Sequence, residues 1–481
     1  MAANGTNRPL QSTKSDVVVI GAGIGGYTAA IRLGQLGKSV ALVEEDKIGG
    51  VCLNVGCIPS KAIISASKIV KNARNAGKMG IDSTVNVDIQ RLQEWKQGAV
   101  NKLTSGVSLL CKANKVQIVS GSARLLSPNL VEVTSNGPTR TIECNSVIVA
   151  TGSTSIELPN LRFDGVRIIT STEALSLTTP PKKILIVGGG VIGLEIGMAY
   201  ANLFGTELVI VELTDQLLPG TDIDLVNVVT RALQKLGAKI YLKSKVMSAN
   251  IVGESVTVNF ETPDGRMITT DVDHVLVSVG RRANSSNLGL EKAGVELDAR
   301  GFIKVNNEMR TNVPNIFAIG DVVGGQLLAH KASKQGKVAA EVIAGLKSSF
   351  DNVVIPSAIF TDPEVAIVGM SPDEAKLKGY DTLVGRFPFS ASGRAIASIE
   401  AEGFTKIIAE KVSGILLGIE IVGNEASDLI SEGSLALEMG ATLEDLGLTI
   451  HPHPTLSETV MEAAENALGK AIHIQNRPST G

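Results

Sequence analysis

The chain is sparing with cysteine, histidine and uninterrupted apolar sequence, and neither sign of charge dominates it. Its first fifteen residues, Met1 to Ser15, contain no apolar core and are expected to be a disordered tail rather than a secretory leader. The Asn4-Gly5-Thr6 sequon is then expected to carry no glycan. Four cysteines in 481 residues without a leader exclude a structural disulfide framework, so any close pair needs a redox or metal-binding explanation. No run reaches the roughly 18 consecutive apolar residues of a membrane span, and a soluble, cytoplasmic protein with no membrane insertion is expected. A formal net charge of -3 gives no electrostatic grip on nucleic acid.

What is present is a globular composition, with 44% hydrophobic and 19% charged residues. The length suggests about three domains at ~150 residues each. Fifty glycines exceed the usual share, and they cluster after apolar runs. One pattern occurs twice: a β-branched strand, a glycine-rich turn, a helical stretch and a second strand ending in an acid. The first copy runs from Asp16-Val17-Val18-Val19-Ile20 through Gly21-Ala22-Gly23-Ile24-Gly25-Gly26 to Glu44. The second runs from Ile184-Leu185-Ile186-Val187 through Gly188-Gly189-Gly190-Val191-Ile192-Gly193 to Glu212.

Each copy reads as a βαβ unit, and the purely structural alternative is a pair of glycine turns without a ligand. The placement favours ligands. A pyrophosphate needs bare backbone N–H groups at a helix N-terminus, where a Cβ would obstruct it and the dipole favours an anion. Gly21, Gly23 and Gly26, then Gly188, Gly190 and Gly193, are the expected contacts, with Glu44 and Glu212 on ribose hydroxyls. Glu212 would repel a 2′-phosphate, which favours NAD over NADP. Apolar strands ending in Thr151-Gly152, Gly280 and Gly320-Asp321 close the same sheets, and Asp321 serves either beside a cofactor or as a helix cap. From Asp351 onward, strands alternate with helical segments and read as a separate α+β domain.

The segment Gly50-Val51-Cys52-Leu53-Asn54-Val55-Gly56-Cys57-Ile58-Pro59-Ser60-Lys61 follows the first acid. Its cysteine spacing fits no zinc site, and no metal is expected. Two unrelated buried thiols remain an alternative to an active disulfide. Lys61 reads either as a fixed charge beside that site or as a solvated helix lysine. Near the C-terminus stands His451-Pro452-His453-Pro454-Thr455-Leu456-Ser457-Glu458, where an imidazole can exchange a proton with a thiol and Glu458 can orient it. A satisfied structural histidine is the plainer reading. His274, His473, Cys111 and Cys144 are read as structural.

Taken in order, these motifs, with Phe360-Thr361-Asp362-Pro363-Glu364, resemble the pyridine nucleotide–disulfide oxidoreductase family over about Asp16 to Leu468. The cysteine segment resembles the branch acting on dihydrolipoamide more than those reducing glutathione or mercuric ion. A flavin-bearing sensor without turnover is the alternative from another class. The resemblance implies an α/β fold with two Rossmann-like domains, for FAD and NAD, and a C-terminal α+β dimerisation domain. The expected boundaries are 16–152 for FAD, 153–280 for NAD, 281–350 for a central domain completing the FAD site and 351–481 for the interface. It also implies a homodimer that takes dihydrolipoamide from lipoyl domains or from a glycine-cleavage lipoyl protein.

In that reading His453 and Glu458 serve the partner subunit's site, Cys52 is the sulfur that substrate attacks, and Cys57 is the sulfur nearer the flavin. Lys61 pairs with Glu195. Thr151, Gly152, Gly280, Gly320, Asp321 and Ala329 line the cofactor sites, with His330 near the flavin ring. Two positions depart from the family pattern: Ala283 stands where proline is commoner and Val51 where threonine is usual.

Overall fold

The computed structural model describes residues 11–135 and 137–476. The chain divides into two compact units, the first comprising Met1–Ala62, Gln90–Ile156 and Gly280–Asp351. Its core is a parallel sheet in the order Gln117–Ser120, Val40–Glu44, Gln11–Ile20, Arg140–Val149, with Ile316–Ala318 beside the last. Two antiparallel strands, Leu130–Thr134 and Ser122–Ser127, extend it.

Consecutive residues of Gln11–Ile20 explain why a β-branched run was needed. Val17 and Val19 face a cluster containing Ala29, Leu33 and Val338 from helices, whereas Val18 and Ile20 face one containing Leu125 and Val131. A strand covered on both faces reads as continuously apolar rather than alternating. Each fully buried valine of this kind contributes about 1.5 kcal/mol or more.

The strand begins at Gln11, not Asp16, because Gln11 to Ser15 pair with Arg140 to Cys144. This corrects the expectation of a disordered tail as far as Ser15; the remainder of that tail and the Asn4 sequon lie outside the described residues. Polar side chains hid the extension, since a backbone ladder asks nothing of them.

The second unit comprises Ile63–Ile89, Glu157–Val279 and Asn352–Gly481. One of its sheets is again parallel, ordered Lys239–Tyr241, Glu207–Val211, Lys183–Val187, His274–Val277, Ile168–Ile169. Another is antiparallel, ordered Ser357–Ile359, Glu364–Gly369, Leu416–Gly423, Phe404–Glu410, Thr382–Pro388. Residues 63–89 group with this unit rather than with the first nucleotide fold. Lys71 pairs with Asp362 at 2.6 Å and Glu400 at 3.7 Å, Lys68 bonds Asn424 at 2.6 Å, and Arg74 donates to the carbonyls of Asn202 and Leu203.

By length and mean hydropathy of 1.2, the helical run Gly50–Met79 passes for a membrane span. Lys68, Lys71 and Arg74 are nevertheless committed to the partners just named, which a bilayer would not supply.

The three helices Ala426–Glu438, Leu443–Leu448 and Glu458–Ala467 contribute to one core with the antiparallel sheet. The last of them lies unusually close to the sheet: a Cβ on Gly385 would meet the Ala463 carbonyl oxygen at 1.9 Å. A buried hydroxyl pair, Thr405 and Thr459 at 2.8 Å, pins the same helix.

The sheet also carries a buried ion cluster. Lys406 Nζ lies 3.0 Å from Asp222, 3.0 Å from Asp224 and 3.2 Å from Glu420. Glu420 is almost wholly buried, and neither of its oxygens has an aligned hydrogen bond. Burial pushes its carboxyl up to about 7, with Lys406 opposing and Asp222 reinforcing.

Stability linked to this proton is complete below the ordinary carboxyl value of 4.5 and is lost as pH rises through about 7. Glu420→Gln should therefore flatten the fall of Tm as pH rises from mildly acidic to neutral, and raise Tm above pH 7 by a few degrees. Scanning calorimetry across that range reads the difference; parallel curves for the two proteins would contradict it.

Candidate functional site

In the first unit the turn between Gln11–Ile20 and the helix Ile24–Gln35 is built by bare backbone. Gly21 has φ +100°, and a Cβ there would lie 2.5 Å from the Ala150 carbonyl oxygen. A Cβ on Gly26 would lie 1.9 Å from the Gly21 oxygen, so only glycine lets the helix start so near the strand end. Gly23 differs: a Cβ there would meet nothing within 4 Å, leaving open space before the helix N-terminus. That opening is what a pyrophosphate needs. Glu44 reaches back to the same turn, its Oε2 accepting from the Ala22 N–H at 2.6 Å.

The second unit repeats the construction. Gly188 has φ +96°, a Cβ on Gly193 would collide with Ser278 Oγ at 2.5 Å, and Gly190 is open apart from a carbonyl at 3.9 Å. Glu212 is buried and accepts the Gly189 N–H at 2.6 Å through Oε2, and Thr214 N–H and Oγ1 through Oε1. Oε2, which accepts only one of these bonds, keeps acceptor capacity for a ribose hydroxyl.

Cys52 and Cys57 form a disulfide, with Cα atoms 4.6 Å apart. Cys52 sits in the helix Gly50–Asn54, and Cys57 opens the helix Cys57–Asn75, whose N-terminal dipole favours a thiolate. Lys61 follows one turn later on the same face. The pair is tied to the nucleotide turn by Gly49 N–H donating to the Ala22 carbonyl at 2.8 Å. A Cβ on Gly50 would meet Gly23 Cα at 2.7 Å, so this helix too needs a bare position to approach the turn. Asn54 Nδ2 donates to the carbonyls of Ile48 and Gly50 and holds the bend. Among the described residues, no cluster of histidine, cysteine and acid has the makings of a metal site.

Around Asp321 stands a group of residues that the motifs left unremarked. Ser153 Oγ donates to Asp321 at 2.5 Å, Arg281 Nε donates to Ser153 Oγ at 2.7 Å, and buried Lys331 donates to the Gly324 carbonyl. Burial pulls both cations below their ordinary values, and Asp321 opposes the shift. Thr151 and Gly152 are fastened to Asn284, which returns a bond to the Thr151 carbonyl. Gly320 N–H donates to Gln335 at 2.8 Å, and Gly280 accepts from Ile156. Ala329 begins the helix Ala329–Ile343, whose Gly336 lets it approach Gly25.

In the second unit the two histidines of the C-terminal loop behave differently. His451 is locked, its Nε2 on Glu432 at 2.7 Å and its Nδ1 on the Thr449 carbonyl at 2.9 Å. His453 is 79% exposed, and only its Nδ1 is engaged, 2.8 Å from Glu458 Oε1. Burial raises the Glu458 carboxyl, but bonds from the Thr455 N–H and from His453 outweigh it and hold the group below its ordinary value. An ionised acceptor requires Nδ1 to carry the proton, which leaves Nε2 of a neutral ring as the base. Glu195 is buried and accepts the Phe360 N–H at 2.8 Å; it lies in the second unit and Lys61 in the first. Cys111 and Cys144 are buried free thiols, and burial pushes Cys144 up to about 11.

The model of pyridine nucleotide-disulphide oxidoreductases matches residues 15–336, and that of their dimerisation domain matches residues 355–464. This chain belongs to the pyridine nucleotide-disulphide oxidoreductase family. A dihydrolipoyl dehydrogenase of Bacillus subtilis is 49% identical over 463 residues, covering 96% of this chain and 98% of that protein. One of Haloferax volcanii is 46% identical over 470 residues, covering 97% and 99%. Among solved structures, LpdA of Mycobacterium tuberculosis superposes with a TM-score of 0.87 at 28% identity, covering 94% of this chain and 99% of that one. The expected fold class, two nucleotide-binding Rossmann-like folds and a dimerisation domain, is that of the family.

The two glycines of the first turn separate packing from ligand space in this oxidoreductase. Gly26→Ala should lower Tm markedly or abolish soluble expression, because its methyl group would strike backbone. Gly23→Ala should keep a wild-type circular dichroism spectrum and Tm yet retain less flavin, read by absorbance after gel filtration. Full flavin retention in Gly23→Ala would remove this turn from the binding site.

Proposed function

We propose that the protein oxidises dihydrolipoamide to lipoamide and reduces NAD, through FAD and the Cys52–Cys57 disulfide. The observation that carries the reading is the pairing of a disulfide anchored to a dinucleotide turn with an exposed imidazole held by a carboxylate. The dihydrolipoyl dehydrogenases to which the chain is 45–49% identical support the substrate. Its substrate arm is a lipoyl domain of a 2-oxoacid dehydrogenase complex or a glycine-cleavage lipoyl protein. The reaction belongs to the cytoplasm, where NAD and lipoylated proteins meet.

FAD fits the bare turn at Gly21, Gly23 and Gly26 with Glu44, together with Thr151, Gly152, Gly320, Asp321 and Ala329. NAD is assigned to Gly188, Gly190 and Gly193 with Glu212, and Gly280 is kept as a cofactor contact. When bound, the two cofactors supply the route by which an electron pair leaves the dithiol as a hydride. The boundaries 153–280, 281–350 and 351–481 stay as the proposed functional division, with the first domain opening at Gln11 and residues 63–89 grouping with the second unit.

The protein's own part begins with His453, whose Nε2 accepts a proton from one substrate thiol. That thiolate attacks Cys52 Sγ, forming a mixed disulfide and releasing Cys57 as a thiolate. The second substrate thiol attacks the first substrate sulfur and breaks its bond to Cys52; lipoamide leaves, and the second proton passes to the departing Cys52 thiolate. The helix N-terminus holds negative charge at Cys57. Glu458 keeps the His453 tautomer and stabilises the imidazolium. Lys61 and Glu195 are assigned as the charged residues of the hydride-transfer step.

The chain acts as a homodimer, with His453 and Glu458 completing the partner subunit's site. Leu435, Met439, Leu448 and Ile450, within the residues matched by the dimerisation domain, are exposed apolar side chains, with Ile450 96% exposed in the single chain.

Steady-state assay with dihydrolipoamide should show kcat/KM for NAD roughly 100-fold or more above that for NADP, since Glu212 repels a 2′-phosphate. Cys52→Ser should lose dithiol oxidation by roughly 10³-fold or more, and Glu458→Gln by roughly 10²-fold with its fold intact. Full activity of Cys52→Ser would end the disulfide mechanism. Separately, Ile450→Asp should shift sedimentation from dimer toward monomer and abolish dithiol oxidation; an active monomer would refute a shared site.

A further inference from the structure

The helix that begins with the proposed catalytic carboxylate carries a second one a turn further on. Glu462 lies four residues after Glu458, so the two share a helix face about 6 Å apart along the axis. Its side chain is 5% exposed; Oε1 meets His473 Nδ1, and Oε2 is buried without a hydrogen-bond partner. His473 is 67% exposed and comes from the segment after the helix. The imidazole–carboxylate arrangement of His453 and Glu458 is thus repeated directly behind it.

The surrounding charges are few. Among the described residues they include Glu458 and Glu465 on the same helix, His453 in the loop before it, the His451–Glu432 pair two residues earlier, Lys470 after it, Glu444 of the helix Leu443–Leu448, which Lys470 meets at 4.0 Å, and Arg386, whose N–H bonds Asn466 of the helix and whose guanidinium lies over Phe404. The strands packed beneath present Gly385 and Thr405 to this helix. An uncompensated charge on Glu462 would therefore act on Glu458 and His453 at short range, with little to screen it from below. His473 is the cation in place to compensate it. The Glu462 bond and charge raise its proton affinity above that of an ordinary imidazole, against a small opposing effect of burial.

We propose that His473 and Glu462 form a positioning pair for His453 and Glu458, setting the net charge beside Glu458 and hence the pH at which His453 can accept the substrate proton. This deepens the reading of His453 as the base and rests on it. It also revises the reading of His473 as merely structural. Removing the His473 charge leaves one more negative charge near His453, which favours the imidazolium and delays its use as a base to higher pH.

The test is the pH profile of kcat/KM for dihydrolipoamide in the full-length dimer. His473→Gln and His473→Ala should each move the acid limb upward by roughly half a pH unit, with KM for NAD unchanged. His473→Arg should leave the limb in place, and the double variant His473→Gln/Glu462→Gln should return it to the wild-type position because both charges are gone. A limb that stays put in the two single variants overturns the proposal. So does a double variant displaced as far as His473→Gln alone, which would point to lost packing. Should one single variant fail to fold, the other and His473→Arg decide. A wild-type protein that does not oxidise dihydrolipoamide would sink the preceding reading instead.

Discussion

One residue, Ala22, organises the first unit. Its N–H is bound by the Glu44 carboxylate and its carbonyl accepts the Gly49 N–H, so the glycine turn, Glu44 and the cysteine helix are held together. That residue can take this position only because Gly21 and Gly26 have no side chains to keep strand and helix apart. Close backbone approach is therefore the constraint on which the rest depends. It leaves open space at Gly23 and brings the Cys52–Cys57 helix against that turn.

The second unit solves the same problem with the same chemistry. Gly189 bonds Glu212 as Ala22 bonds Glu44, across separations of 23 and 22 residues. The antiparallel sheet then meets a different demand, to hold a helix by its first residue. Gly385 lets that helix press on the sheet, and Thr459 locks it, so Glu458 projects from a rigid base while His453 stays in solvent. Rigidity in the acid and exposure in the imidazole suit a base that must meet a substrate arriving on a long arm.

Much of this was legible from local pattern. The two fingerprints, their terminal acids and the cysteine spacing are short-range features, whereas the expectation for His453 over the plainer structural reading came from the resemblance to the family. Other features were not legible. The strand extension through Gln11 to Ser15 has polar side chains and depends on a partner more than a hundred residues away. The attachment of residues 63–89 to the second unit depends on ion pairs with Asp362 and Glu400. Lys331, Arg281 and Ser153 converge on Asp321 from three distant segments, and no spacing rule connects them.

By itself the sequence determined the elements and their chemistry: where helices must start on bare backbone, which acids close the units, and which cysteines can react. These depend on contacts a few residues apart and on the absence of side chains at set positions. Only the tertiary structure decided which of two neighbouring histidines is locked and which is exposed, that Glu420 is buried with a lysine and two aspartates, and that Glu462 stands behind Glu458 with His473 beside it. Burial and charge proximity are properties of packed segments, and a residue's neighbours in space are not its neighbours along the chain.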